Sequence, residues 1–253
     1  MIVQLVVPDS QLDSRLGRVS PVIKLGIAFA WLAGLALTTD ARPPMVLALV
    51  GVVAAVTLGA VPVSRFARGA APLAIAAGGI AVFSAVFSTH NADPAAVVAV
   101  ALGPLRITTP ALLTAVGLFA RIVAIGTTAV TFSQTTDSTR LVDSLVRQAG
   151  VSPRFGYGAL AAYQSIPRLA DDLGALRASR RIRGMRWTWH PRLLLGLLVR
   201  AIRQGDALAL AMDARAFGLG ERTWYRDLRW QPRDLVAAIA GLVLLVVALM
   251  LAR

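Results

Sequence analysis

Long apolar segments restrict the fold of this sequence more than any other feature. A helix that crosses a bilayer needs about 20 mostly apolar residues. Five segments meet that length, at about residues 19–38, 44–63, 70–88, 109–132 and 234–253. Hydrophobic residues make up 57% of the chain and charged residues 15%, against about 45–50% and about 25% in soluble domains. The sequence therefore predicts an all-α membrane protein with about five transmembrane helices.

A sixth apolar segment, residues 94–105, is too short to cross a bilayer and is broken by Gly103-Pro104. We interpret it as a re-entrant or surface segment. The alternative is that it forms half of an extra span.

Arginine placement predicts the domain organisation and the orientation. We expect residues 1–133 to form a membrane bundle of four spans, residues 134–233 a separate domain, and residues 234–253 the last span. The middle domain holds seventeen arginines and eight acidic residues. Basic loops stay on the cytoplasmic side of a membrane. The N-terminus and residues 134–233 are therefore predicted to be cytoplasmic, and the C-terminus to lie outside.

The cytoplasmic domain is predicted to be helical, with helices at about 138–148, 154–183 and 191–217. The two long helices share a pattern, an apolar body followed by an arginine next to a small residue. The two sites read Ile182-Arg183-Gly184 and Ala214-Arg215-Ala216, with Arg180, Arg181 and Asp213 as supporting charges.

Two interpretations of these arginine ends are open from the residues alone. Arginine binds carboxylates through a planar fork, so each end could dock into a groove on another protein. Arginine also suits the negative end of the helix dipole, so each end could be a capped, solvated terminus.

Arg121 lies well inside the fourth span, where an arginine costs about 2.5–3.5 kcal/mol to insert. It is predicted either to bond carbonyls of a neighbouring helix or to form an intramembrane contact with another subunit.

Several kinds of chemistry are disfavoured by the composition. The chain has no cysteine and two histidines, so we predict no metal site and no cofactor. Lys24 is the only lysine and does not follow a glycine, which excludes a phosphate-binding P-loop. No nucleophile–base pair can be named, so the chain is not expected to be an enzyme. Positive-inside bias accounts for the basic charge without nucleic acid.

The order of these features resembles a known family. Four features follow one another along the chain. They are Thr135-Thr136-Asp137 after the span with Arg121, the Arg-Gly helix end, residues 211–218 and Arg222-Thr223. Together they resemble the transmembrane T component of energy-coupling factor (ECF) transporters, the CbiQ/EcfT-like family. The resemblance implies a membrane scaffold with two long crossing coupling helices, whose arginine ends dock into two ABC-type ATPase subunits. It also implies a small substrate-capturing membrane subunit as a partner.

The resemblance implies an energy-coupling subunit for uptake of a vitamin or a transition-metal ion in a prokaryotic plasma membrane, with ATP hydrolysis in the partner ATPases. Three residues depart from the family pattern. Ile182 replaces the usual Ala, Ala216 the usual Gly and Asp213 a common Glu. Because alanine has a Cβ, Ala216 is expected to disfavour a left-handed backbone. The alternative function is an arginine-rich membrane protein that binds anionic lipid or another membrane partner without transport coupling.

Overall fold

The computed structural model of the chain describes residues 9–38, 40–92, 96–102, 105–185, 190–218 and 228–251. These residues form two compact units. The membrane unit comprises residues 9–137 and 229–251 within the described ranges, and the arginine-rich unit comprises residues 138–228.

The membrane unit is built from six helices and one small sheet among its described residues. The helices are α1 (Asp9–Leu12), α2 (Pro21–Ala36), α3 (Arg42–Val53), α4 (Val63–Val86), α5 (Thr109–Thr135) and α9 (Pro232–Met250). A π-helical turn, Ala54–Leu58, extends α3, and a short 3₁₀ helix, Thr89–Ala92, follows α4.

The arginine-rich unit contains α6 (Ser138–Gln148), α7 (Pro153–Ile182) and α8 (Pro191–Asp213). Its helices confirm the predicted ones, except that α8 ends four residues earlier than expected. A proline in the first turn begins many helices of both units, because its fixed φ suits the helix and its missing N–H is not needed there. These prolines are Pro21, Pro43, Pro110, Pro153, Pro191 and Pro232.

The apolar helices confirm an all-α membrane protein. Among the described residues, three helices are long and apolar enough to cross a bilayer: 63–92 with its 3₁₀ end, α5 and α9. The first and second predicted spans correspond to shorter apolar helices. The first, α2, has 16 residues and a length of about 24 Å. The second, α3, has 12 residues, and the five-residue π turn continues it.

Two segments differ from expectation. The helix α4 begins at Val63 rather than at residue 70, so Arg65 and Arg68, which fall between the second and third predicted spans, lie in its first two turns. Residues 94–105 do not provide half of a helical span in their described part. Instead, β1 (Val98–Leu102) pairs antiparallel with β2 (Leu105–Thr108). The alternation of β-branched valines with alanines favours a strand over a helix there.

Apolar packing joins four helices of the membrane unit. One buried cluster takes residues from α2, α3, α5 and α9: Trp31, Leu35, Leu47, Ala124, Leu245 and Ala248. The Trp31 indole N–H donates to the carbonyl of Gly241 at 2.9 Å, so its polar atom is satisfied inside this cluster. Gly241 faces Ile27, which would lie 2.9 Å from a Cβ at that position. The glycine therefore permits the close approach of α2 and α9.

Buried polar bonds tie the start of α2 to two other helices. The Lys24 ammonium donates to the carbonyl of Thr135, the last residue of α5, at 2.7 Å. A cation at this position suits the negative end of the α5 dipole. The Ser20 amide donates to the Asp234 carboxylate on α9 at 2.8 Å. Lys24, Thr135 and Asp234 are all buried, so these bonds are shielded from solvent.

Replacing Lys24 with methionine should lower the melting temperature of the detergent-solubilised chain. The change leaves a buried carbonyl at the end of α5 without its ammonium donor, a loss of about 1–3 kcal/mol. Leu25→Met, at the next position of the same helix, is the matched control and should change little. Equal melting temperatures for Lys24→Met and the unmodified chain would contradict this role.

Candidate functional site: two arginine-ended helices

The two long helices of the arginine-rich unit run antiparallel to each other. Arg200 of α8 donates to Asp172 of α7 at 2.7 Å, and these two side chains form an ion pair. One turn further along α7, Leu176 lies beside Gly196, where a Cβ would stand 3.6 Å from the leucine. Residue numbers thus rise along one helix as they fall along the other.

The antiparallel arrangement places the two arginine ends at opposite ends of the pair. Arg183 follows the last residue of α7, whereas Arg215 follows α8 and lies near the start of α7. Arg154, in the first turn of α7, donates a hydrogen bond to the carbonyl of Gly218 at 2.9 Å, so the chain just after α8 lies beside the start of α7. The helix α7 has 30 residues, so the two ends lie about 40 Å apart along the pair at 1.5 Å per residue.

The first arginine end (residues 180–185) closes with a Schellman motif. The Gly184 N–H donates to the carbonyl of Arg181 at 3.0 Å, and the Met185 N–H to the carbonyl of Arg180 at 3.2 Å. Gly184 has φ of 74°, the left-handed conformation that this motif needs and that glycine adopts without a steric penalty.

The second arginine end (residues 212–217) has the same backbone hydrogen bonds, offset by 32 residues. The Ala216 N–H donates to the carbonyl of Asp213 at 2.9 Å, and the Phe217 N–H to the carbonyl of Met212 at 3.0 Å. Ala216 occupies the left-handed position with φ of 54°. Ala216 adopts this left-handed conformation despite the expected cost of its Cβ, because the closing hydrogen bonds outweigh that cost.

The six motif residues are exposed to solvent. They are Ile182, Arg183, Gly184, Ala214, Arg215 and Ala216. Ile182 is 87% exposed, which is unusual for so large an apolar side chain. The supporting residues Arg181 and Asp213 are also exposed, and Arg180 is partly buried.

Backbone amides, rather than arginine side chains, satisfy the last carbonyls of both helices. Among the described residues, neither the Arg183 nor the Arg215 guanidinium forms a hydrogen bond or an ion pair. Their charges can still favour the helix dipole. Within the part of the chain that the structure describes, each guanidinium therefore keeps all five of its donors available to a partner.

Arg121 belongs to the membrane unit, where it lies in the middle of α5. Its guanidinium donates to the carbonyl of Thr38, which follows α2. This bond matches the first of the two interpretations of Arg121. A contact with another membrane subunit stays a prediction.

Neither unit offers a ligand set for a metal ion in its described part. No three His, Cys, Asp or Glu residues come together there. The membrane unit has a groove of about 190 Å³ between α2, α3, α5 and α9. Its lining is apolar apart from several threonines and Lys24, which is already bonded to Thr135.

Sequence reasoning missed Arg154 and Lys24 as structural residues. No local pattern marks them, because their partners lie 64 residues away for Arg154 and 111 residues away for Lys24. The predicted Arg222-Thr223 feature lies outside the described residues.

Fold and site together define a multi-span membrane protein of the all-α class with a pair of exposed arginine-ended helices. The family model described as CbiQ, cobalt transport protein, matches residues 13–225, and the chain belongs to this family. The predicted resemblance to ECF T components is thereby confirmed.

Curated relatives carry one shared name, energy-coupling factor transporter transmembrane protein EcfT. The protein from Lactococcus lactis subsp. cremoris is 27% identical over 255 residues, which cover 94% of each chain. The protein from Streptococcus equi subsp. equi is 28% identical over 184 residues, covering 66% of this chain and 68% of the relative. The protein from Thermotoga maritima is 29% identical over 158 residues, covering 55% and 58%.

Ala216→Gly should stabilise the chain, because glycine removes the steric cost of the left-handed backbone. We expect a gain of up to about 1 kcal/mol, since glycine also makes the unfolded chain more flexible. Ala214→Gly is the matched control: Ala214 has φ of −60°, and glycine at such a helical position should destabilise by about 0.5–1 kcal/mol. Thermal unfolding followed by circular dichroism measures both variants. A lower melting temperature for Ala216→Gly would contradict the assigned strain.

Proposed function

We propose that this chain is the transmembrane energy-coupling subunit of an ECF-type importer. It links two ABC-type ATPase subunits to a small substrate-capturing membrane subunit. The observation that carries the proposal is the repeated Schellman-closed helix end with an exposed arginine, present once at each end of an antiparallel helix pair. The names of the curated relatives support the same assignment.

Docking into two ATPases follows from the separation and likeness of the two ends. The two helix ends have the same backbone hydrogen bonds, which suits binding to two similar grooves. They lie about 40 Å apart, which suits two separate subunits better than one small site. Arginine at the tip would bind a carboxylate in each groove through two parallel hydrogen bonds. A glycine or alanine after it leaves the base of the side chain unobstructed.

Rigid coupling follows from the contacts along the helix pair. The Asp172–Arg200 ion pair and the Leu176–Gly196 contact hold α7 against α8 near the middle. When ATP closes the two ATPases, the arginine ends would be moved together, and the paired helices would shift as packed elements. That motion would tilt the substrate-capturing subunit and release its cargo inwards.

The cargo and the location are further parts of the proposal. The substrate is a vitamin or a transition-metal ion held by the capture subunit, and ATP is hydrolysed in the partner ATPases. The family name, cobalt transport protein, favours the metal ion. The chain lies in a prokaryotic plasma membrane, with its N-terminus and the arginine-rich unit in the cytoplasm, where the ATPases are.

A second candidate function, binding of anionic lipid without transport coupling, is favoured by one face of α8. Five large apolar side chains are exposed at helical spacing on that face, at Leu194, Leu195, Leu198, Val199 and Ile202. Exposed Arg192 and Arg203 lie near its edge. Such a stripe suits an interfacial helix, and each arginine adds about 1 kcal/mol near an anionic surface.

Charge reversal separates these two functions. Arg183→Glu and Arg215→Glu should each weaken co-purification of the ATPase subunits from membranes, and the double variant should abolish ATPase binding and uptake. The reason is that a glutamate in either groove repels the carboxylate that arginine binds. Arg203→Glu makes the same charge reversal at an exposed site between the ends and is the matched control.

Full ATPase binding and uptake in the double variant would refute the docking role. Lipid binding as the main function predicts another pattern. In that case all three arginine variants would reduce binding to anionic vesicles by similar amounts, and salt would weaken that binding strongly.

A further inference from the structure

Within the described residues the two arginine ends differ in the contacts that hold them, and the difference centres on Arg154. We propose that Arg154 is a positioning residue that holds the second arginine end in its docking conformation, whereas the first arginine end holds itself. This inference rests on the proposed function. It adds a residue outside both motifs to the docking machinery.

Contacts of Arg154 place it directly on the turn that closes the second end. Its Nη2 donates to the carbonyl of Gly218 at 2.9 Å, and Gly218 follows the last residue of that turn. A Cβ at Gly218 would stand 2.4 Å from the Arg154 Nε and 2.9 Å from its Cγ. Gly218 also has φ of 83°, a left-handed conformation that favours glycine, and any side chain there would displace Arg154.

The second end needs an external support because of the residue at its left-handed position. Ala216 carries a Cβ that disfavours φ of 54°, whereas Gly184 in the first end does not. Left to its backbone bonds alone, the second end would open more readily than the first. Arg154 supplies the missing stabilisation from the neighbouring helix.

No comparable bond supports the first end within the described residues. Its closing hydrogen bonds all come from the backbone of residues 179–185. Arg154 also forms part of the surface around the second arginine end. An open pocket of about 400 Å³ there is lined by Arg154, Asp213, Ala216 and Phe217. A partner seated on Arg215 would therefore rest against a surface that Arg154 shapes.

Single-cysteine reporters can test each end separately, because the natural chain contains no cysteine. Ser179→Cys and Ala211→Cys each lie four residues before the respective arginine, at exposed positions. In the full chain assembled with its ATPase subunits, docking should protect both cysteines from a maleimide reagent. Arg154→Met should raise the labelling rate at residue 211 about tenfold, a change that corresponds to one lost hydrogen bond, and leave residue 179 unchanged.

Three further variants keep the result interpretable. Arg154→Lys, which retains a positive donor, should preserve most of the protection at residue 211. Ala216→Gly should restore that protection in the Arg154→Met chain, because glycine removes the need for the support. Arg203→Met removes the same charge away from both ends and should change neither site. A merely structural role of Arg154 predicts no such selective rescue.

Specific outcomes would overturn the inference. Arg154→Met with equal loss of protection at residues 179 and 211 would show a general effect on the unit. Unchanged protection at both positions would show that Arg154 is not needed. Lack of protection at both positions in the chain with native Arg154 would refute the docking function itself, and with it this inference.

Discussion

Antiparallel pairing of α7 and α8 is the constraint from which the geometry of the candidate site follows. The ion pair between Asp172 and Arg200 and the contact of Leu176 with Gly196 set the direction of the two helices. Two consecutive helices that pair in this way must end at opposite ends of the pair. Two arginine motifs at their C-termini therefore cannot enter one small pocket. The proposed docking of both motifs therefore requires two partners, or one partner large enough to reach both ends.

Chirality explains why each arginine is followed by a small residue. The last carbonyls of a helix have no partner inside it, and a Schellman turn satisfies two of them if the residue after the C-cap is left-handed. Arg183 and Arg215 occupy the C-cap position, with Gly184 and Ala216 at the left-handed position that follows. The backbone thus completes the capping, so the guanidinium groups are not used for it. Each three-residue motif, 182–184 and 214–216, thus combines the end of a helix with an exposed arginine.

Much of the fold could be predicted from the sequence because its signals are local. Long apolar segments predicted the fold class, an all-α membrane protein. Prolines that begin helices and glycines that end them predicted the boundaries of α6 and α7 to within one residue. The arginine ends were also visible as a repeated pattern. The hairpin of β1 and β2 was not predicted, since Gly103-Pro104 marks a break without stating what flanks it. Arg154 and Lys24 were missed because their bonds depend on how distant helices pack.

Force that reaches the arginine-rich unit has two covalent routes into the membrane unit, one through the end of α5 and one through the start of α9. Both routes arrive at buried, bonded residues, Thr135 and Asp234. Both of these residues are held by the start of α2, through Lys24 and the Ser20 amide respectively. A shift of α7 and α8 would therefore act on α5, α9 and α2 together. The only lysine of the chain forms one of these bonds, so it lies where the proposed function would require motion to pass between the two units.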